Sequence, residues 1–295
     1  MSSISFAGAH TALVTPFKDG ALDEAALTAL IETQIQGGIS GIVPVGTTGE
    51  SPTLSHEEHR RVIEIAVKAA DKRVLVIAGT GSNATSEAVE LTVEAEKLGA
   101  DAVLLVAPYY NKPSPEGLYR HFKKVAESVS IPIVLYSIPG RCGIEIPVSV
   151  VVRLVVDCPN VVAIKEAGGN VERVHQLRAA LPASFQILSG DDALTFPFMA
   201  AGGVGVISVA SNIIPSEVTE LVQSFLRGDL AKSEEIHTRY APLFHDLFIE
   251  PNPVPIKTAL AAMRICADDV RLPLCEMTEG NKSILLKTLG LAKVI

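Results

Sequence analysis

Eight short aliphatic runs, each followed by an amphipathic stretch, recur between Thr11 and about Gly228. They read as strands at Ala12 to Thr15, Gly41 to Gly46, Val74 to Gly79, Ala102 to Ala107, Pro132 to Ser137, Val161 to Lys165, Gln186 to Gly190 and Gly205 to Ala210. Strands that are apolar throughout, rather than alternating with polar residues, need cover on both faces, which is the condition of a parallel sheet sheathed in helices. Eight of them, in a segment slightly shorter than the ~250 residues typical of such folds, predict an α/β chain closed into a (β/α)8 TIM barrel rather than an open doubly wound sheet. Asp23, Ser55, Thr85, Ser114, Asn170 and Ser216 stand where helix N-caps belong, and Gly37, Gly99 and Gly228 where helices end.

Past Gly228 the strand runs stop. Leu230 to Phe248, Val254 to Cys266 and Glu276 to Leu291 carry helical apolar spacing, interrupted by Pro251-Asn252-Pro253-Val254-Pro255 and by Pro273. The domain reading is therefore a barrel over 1–228 and a C-terminal helical extension over 229–295. No flexible linker separates them, so the extension is expected to pack on the barrel or on a neighbouring subunit. The uncharged stretch from Ala193 to Ser216 is long enough to span a bilayer, but Pro197, Gly202-Gly203, Gly205, Ser208, Ser211 and Asn212 break it into a short helix and a short strand.

A formal net charge of -8 at pH 7, with Lys and Arg scattered along the chain, offers no basic stripe that could neutralise a phosphate backbone, and argues against a nucleic-acid partner. Cys142, Cys158, Cys266 and Cys275 lie far apart, without metal or disulfide spacing, and read as reduced thiols. With no basic-then-apolar leader between Met1 and Thr15, the expected location is the cytoplasm, away from membranes. His56-Glu57-Glu58-His59 spaces its histidines three apart, not the four that a zinc-binding H-E-x-x-H helix requires, so no metal is expected there.

A barrel of this kind carries its active site at the carboxyl ends of its strands. Lys165 closes the apolar run Val161-Val162-Ala163-Ile164 and points into a dry interior, where desolvation disfavours the ammonium and favours the nucleophilic amine that Schiff-base chemistry needs. The competing reading is a buried structural ion pair with Glu166, Asp191 or Asp192. Gly46-Thr47-Thr48-Gly49, at the end of the second run, combines close backbone approach with two hydroxyls and suits a carboxylate, although glycine-rich strand ends also serve merely as turns. Only five tyrosines exist in the chain, yet Tyr109, Tyr110 and Tyr136 all fall at these strand ends, where phenols either shuttle protons or pack the rim.

These residues resemble the dihydrodipicolinate synthase family, within the class I pyruvate-dependent aldolases and lyases that also include N-acetylneuraminate lyase. The likeness covers nearly the whole chain. It is carried by Gly46-Thr47-Thr48-Gly49-Glu50-Ser51, Pro108-Tyr109-Tyr110-Asn111-Lys112-Pro113, Tyr136 through Arg141, Ile164-Lys165-Glu166, Leu188-Ser189-Gly190-Asp191-Asp192 and Glu250-Pro251-Asn252-Pro253. The resemblance implies that Lys165 forms an imine with pyruvate and that Thr47 and Thr48 hold the pyruvate carboxylate. Tyr136 would donate and accept protons, linked through Thr47 to Tyr110 reaching across a tight dimer interface. Arg141 would grip the carboxylate of L-aspartate 4-semialdehyde, and Gly190 and Ile207 would line the pocket. No cofactor is needed beyond the pyruvate imine, and the assembly implied is a homotetramer of paired dimers. An arginine in the position of Arg141 separates the synthases from the sialic-acid lyases, which remain the alternative. A catalytically dead barrel with a binding role is a third reading, since fold alone does not decide function.

One further cluster has no part in that chemistry. Ser51, His56 and His59 follow the threonine loop, Asn83 and Glu87 begin the third helix, and Tyr109 is expected to point away from its own barrel, since neighbours in an extended segment leave on opposite sides. Glu87 suits an ammonium, and His56, Asn83, Ser51 and Tyr109 suit an α-carboxylate and α-amine. The bland reading is a solvated polar rim. The resemblance favours L-lysine as a feedback inhibitor bound there.

Overall fold

A computed structural model describes residues 4–295. Eight parallel strands close into a barrel, β1 (Gly8–Ala12), β4 (Gly41–Val43), β5 (Leu75–Gly79), β6 (Ala102–Val106), β7 (Ile133–Ser137), β8 (Val161–Glu166), β9 (Gln186–Ser189) and β10 (Gly205–Ser208), with β10 returning to pair with β1. A short antiparallel hairpin, β2 (Phe17–Lys18) and β3 (Ala21–Leu22), lies outside the barrel sheet. The helices are α1 (Glu24–Gln36), α2 (His56–Ala70), α3 (Thr85–Lys97), α4 (Pro115–Ala126), α5 (Pro139–Cys142), α6 (Val148–Asp157), α7 (Glu172–Ala180), α8 (Thr195–Ala200), α9 (Pro215–Leu226), α10 (Leu230–Asp246), α11 (Val254–Ala262) and α12 (Glu279–Leu291). The expected TIM barrel with a helical C-terminal part is what the chain forms. Ala193 to Ser216 divides into the short α8, the strand β10 and their flanking turns, and among the described residues no helix is long and apolar enough to cross a membrane.

The first strand lies earlier than the apolar run had placed it, at Gly8–Ala12 instead of Ala12 to Thr15. Asn212 explains the difference: its Oδ1 takes the Val14 N–H at 3.2 Å and its Nδ2 donates to the Ala12 carbonyl at 2.8 Å. The side chain thus ends the ladder where the apolar run continues. Leu13 and Val14 are buried all the same, as loop residues of the core. The second strand stops at Val43, short of Gly46, because Val45 turns to a φ of +51°.

Asp23, Ser55 and Ser114 cap their helices, accepting from the N–H groups of Ala26, Glu58 and Gly117. Thr85, Asn170 and Ser216 do not hold the cap position, which falls to Ala84, Val171 and Ile214. Asn170 still serves its helix, its Oδ1 accepting from Glu172 N at 3.0 Å, whereas the Thr85 hydroxyl turns to His121. The C-terminal part does not stand apart: α10 packs against α9, the last helix of the barrel sequence, and α12 against both α10 and α11.

Candidate active site

Lys165 is the penultimate residue of β8, level with Tyr136 of β7 on one side and with Leu188 of β9 on the other. Residues in register on parallel neighbours project to the same face of the sheet. Nζ of Lys165 accordingly lies over the Tyr136 ring, 4.3 Å from its centroid. Gly190, at the end of β9, leaves the space this requires, since a Cβ there would come within 2.9 Å of Lys165 Cε and 2.7 Å of Ala167 Cβ.

Lys165 is 6% exposed. Burial disfavours its ammonium form, Asp192 opposes that effect and Arg141 adds to it, and the balance brings the amine from 10.5 down to about 8. The alternative of a structural ion pair fails because each candidate carboxylate is engaged elsewhere. Glu166 takes Arg173 Nε at 3.3 Å and Gly168 N at 3.0 Å. Asp191 caps Ala193 N at 2.9 Å, and Asp192 accepts Val209 N and Ala210 N, each at 2.9 Å. Burial also pushes the Tyr136 phenol up to about 12, so it holds its proton, while the Arg141 guanidinium and the neighbouring Thr47 hydroxyl work in the opposite direction.

The loop Gly46–Gly49 is bracketed by Val45 and Glu50, both left-handed at φ +51° and +54°. For a β-branched residue such as Val45 that conformation is strained, and it persists only where the surroundings fix it. Here the C-terminal extension does so. Glu50, 2% exposed, forms a buried ion pair with Lys257 of α11 and accepts Arg271 N at 3.0 Å. Lys257 Nζ also donates to the Asp269 carbonyl at 2.8 Å. Arg271 in turn holds the Glu58 carboxyl down to about 2 through bonds of 2.6 and 2.7 Å, tying the first turn of α2 into the same cluster.

A cavity of about 50 Å³ is lined by Lys165, Tyr136, Thr47, Thr48, Arg141 and Gly190, with Asn252 and Phe248 entering from the C-terminal part. Arg141 reaches it from the single-turn helix α5, which the sequence reading did not foresee, and donates to the Asn252 carbonyl at 3.1 Å. Val209, just past β10, also lines this cavity, and Ile207 is buried within β10. A larger cavity of about 420 Å³ shares Thr47, Tyr136 and Arg141 with the first and extends outward past Ser51, His56, His59, Glu87 and Tyr109. Tyr109 and Tyr136 both line this larger cavity. The segment is not extended at that point, for Tyr110 is left-handed at φ +72° and 90% exposed.

The residues of the larger cavity already bond one another. His56 Nε2 lies 2.9 Å from Glu87 Oε1, and Ser82 also bonds Glu87, whose carboxyl the two partners hold below its ordinary value. His59 donates to the Gly79 carbonyl at 2.9 Å, and burial lowers its pKa. Asn83 lies beside this cavity and not on its wall, its Nδ2 donating to the Tyr109 carbonyl at 3.2 Å. His56, Glu58 and His59 thus point to three different partners and do not converge. Substituting Lys257 by Met should cost about 3–5 kcal/mol, as expected when a buried carboxylate loses its counter-ion. Adding Glu50→Gln should recover part of that, with both variants compared by denaturant unfolding at equal protein concentration. A loss below about 1 kcal/mol in the single variant would show that the pair does not clamp the loop.

Residues 5–291 match the dihydrodipicolinate synthetase family. The 4-hydroxy-tetrahydrodipicolinate synthase of Aquifex aeolicus is 51% identical over 284 residues, 96% of this chain and 97% of that protein. The solved 4-hydroxy-tetrahydrodipicolinate synthase of Methylacidiphilum fumariolicum SolV superposes with a TM-score of 0.97 at 53% identity, covering 98% of this chain and 96% of the other. The synthase of Cyanidioschyzon merolae, solved with lysine bound, gives a TM-score of 0.96 at 40% identity over 98% and 99% of the two chains. A closed eight-stranded barrel, a buried strand-end lysine in register with a tyrosine, and likeness over almost the full length agree: the chain belongs to the dihydrodipicolinate synthetase family.

Proposed function

We propose that the chain is a 4-hydroxy-tetrahydrodipicolinate synthase, joining pyruvate to L-aspartate 4-semialdehyde through an imine on Lys165. The observation that carries the reading is the buried Lys165 amine, free of a counter-ion and level with Tyr136 across β7 and β8. At pH ~7.5 an amine titrating at about 8 is neutral in about a quarter of molecules, against about one in a thousand for an ordinary lysine.

The amine adds to the pyruvate ketone and water leaves, giving an iminium that withdraws electrons from the methyl carbon. Loss of a methyl proton yields an enamine, whose carbon attacks the semialdehyde's aldehyde carbon and whose developing alkoxide takes a proton. The α-amino group of the adduct then attacks the iminium carbon, closing the ring and releasing Lys165. Tyr136, which keeps its proton near neutral pH, passes protons in these steps, with Thr47 beside it on the same cavity wall. Thr47 and Thr48 hold the pyruvate carboxylate, and Arg141, at the mouth where the two cavities meet, holds that of the semialdehyde. The chemistry calls for no cofactor and no metal.

Tyr110, nearly fully exposed, suits a shared site in which the partner subunit's Tyr110 completes the proton path. The functional unit is then a dimer, two of which pair into a homotetramer working in the cytoplasm. The larger cavity is the binding place for L-lysine as a feedback inhibitor. The carboxylate of Glu87 attracts the ammonium, and Ser51, His56 and Tyr109 surround the amino-acid end, with Asn83 bonded to the Tyr109 carbonyl behind them. The lysine-bound relative supports this assignment.

Borohydride reduction in the presence of pyruvate should leave a single pyruvyl adduct on the Lys165 peptide, seen by mass mapping. Lys165→Arg should show no adduct and less than about 1% of turnover with aspartate semialdehyde, because a guanidinium stays protonated. An adduct elsewhere, or retained turnover in the Arg variant, would contradict the mechanism. Millimolar lysine should lower the steady-state rate only in part. His56→Ala and Glu87→Ala should raise the lysine concentration needed by about tenfold or more, as for a lost charge-assisted contact. Rates indifferent to lysine, or inhibition undiminished in the two variants, would overturn the regulatory reading.

A further inference from the structure

Asn252 belongs to the C-terminal part, in the turn between α10 and α11, yet it forms part of the wall around Lys165. It is 6% exposed, and two of its atoms hold the residues that receive carboxylates in the proposed reaction. Its Nδ2 donates to Thr48 Oγ1 at 3.0 Å, and its backbone carbonyl accepts from Arg141 at 3.1 Å. Its Oδ1 is buried without a hydrogen-bond donor.

A threonine hydroxyl has one proton and two lone pairs. With one lone pair occupied by the Asn252 amide N–H, the Thr48 proton has no call to turn towards Asn252 and is left to point elsewhere. The opposite rotation of the amide would let Oδ1 accept that proton, but would bury an unpartnered NH2, which proteins tolerate less well than an unpartnered carbonyl. A donor directed into the cavity is what an anionic oxygen requires there, whereas a hydroxyl turned the other way would meet it with a lone pair.

We infer that Asn252 is a positioning residue that fixes the polarity of the Thr48 hydroxyl, making it a donor to a substrate carboxylate, and that the same turn tethers Arg141 through its carbonyl. This rests on the reading that Lys165 forms an imine with a 2-keto acid. It gives the C-terminal extension a part in substrate binding that the barrel strands do not supply.

Asn252→Asp is the decisive variant, since its carboxylate has nearly the same shape but can only accept, and so turns the Thr48 proton away from the cavity. The borohydride-trapped adduct on Lys165 is measured against concentration with two probes, pyruvate and hydroxyacetone, the second lacking a carboxylate. With pyruvate the half-saturating concentration should rise about 100-fold in Asn252→Asp and about tenfold or less in Asn252→Ala, where the hydroxyl is free to rotate. With hydroxyacetone Asn252→Asp should lose at least about tenfold less than it does with pyruvate, since that probe has no carboxylate to place. In a Thr48→Val background, Asn252→Asp should add no more than about threefold with pyruvate, because no hydroxyl remains to reverse. An undiminished loss in that background would mean that the new charge simply repels the carboxylate, and would overturn the inference, as would an equal loss with both probes. Failure of the parent protein to form an adduct with either probe would overturn the imine reading itself.

Discussion

An amine enclosed by an aliphatic barrel, with no carboxylate to neutralise it, is the constraint around which the rest of this structure is arranged. The barrel supplies the desolvation, because its largely apolar strands keep water from Lys165, and this outweighs the opposing pull of Asp192. The parallel register supplies the geometry, setting Lys165 and Tyr136 level on neighbouring strands so that neither needs a loop to meet the other. Their shifts run in opposite directions for one reason: burial penalises the charged form, so the lysine becomes a neutral base near pH 8 and the phenol stays a neutral acid to about 12. The carboxylates that could have quenched the lysine are occupied by Arg173 and by backbone N–H groups of the adjoining loops.

The C-terminal helices complete what the barrel begins. A threonine loop whose ends sit in the left-handed region would relax if left alone. Glu50 is instead anchored by Lys257 and by the Arg271 N–H, while Thr48 and Arg141 both meet Asn252. The helical part is therefore continuous with the site, joined to the barrel by buried polar contacts as well as by helix packing. Such contacts need near-complete satisfaction to be tolerated, which makes the geometry of the loop specific.

Much of this was legible in the sequence, and the reasons for success and failure differ residue by residue. Continuous aliphatic runs revealed the strands because burial on both faces leaves few polar residues in them; the first run misled because Leu13 and Val14 are buried without being in the ladder. The hairpin Phe17–Leu22 turns at Asp19-Gly20, a turn pair present in the sequence, but its two-residue strands are too short to make a pattern. Lys165, Tyr136 and Thr47 stood out because they end apolar runs. Asn252 and Lys257 gave no such signal: their partners Thr48 and Glu50 lie 204 and 207 residues away, and pairing at that separation is written only in the closed fold. The same limit left Arg141 visible as a charge near a strand end while its helical turn and its contact with Asn252 stayed hidden.

The central claim is that burial without a counter-ion makes Lys165 a neutral amine near physiological pH, and the amine's own titration tests it. Trace labelling with isotopic acetic anhydride across pH ~6 to ~11, with the Lys165 peptide quantified by mass spectrometry against an exposed lysine, reads the free-amine fraction directly. Because a lowered lysine pKa favours the neutral form, labelling should rise with pH and level off with a midpoint at about 8. A midpoint near the ordinary 10.5 would contradict the account.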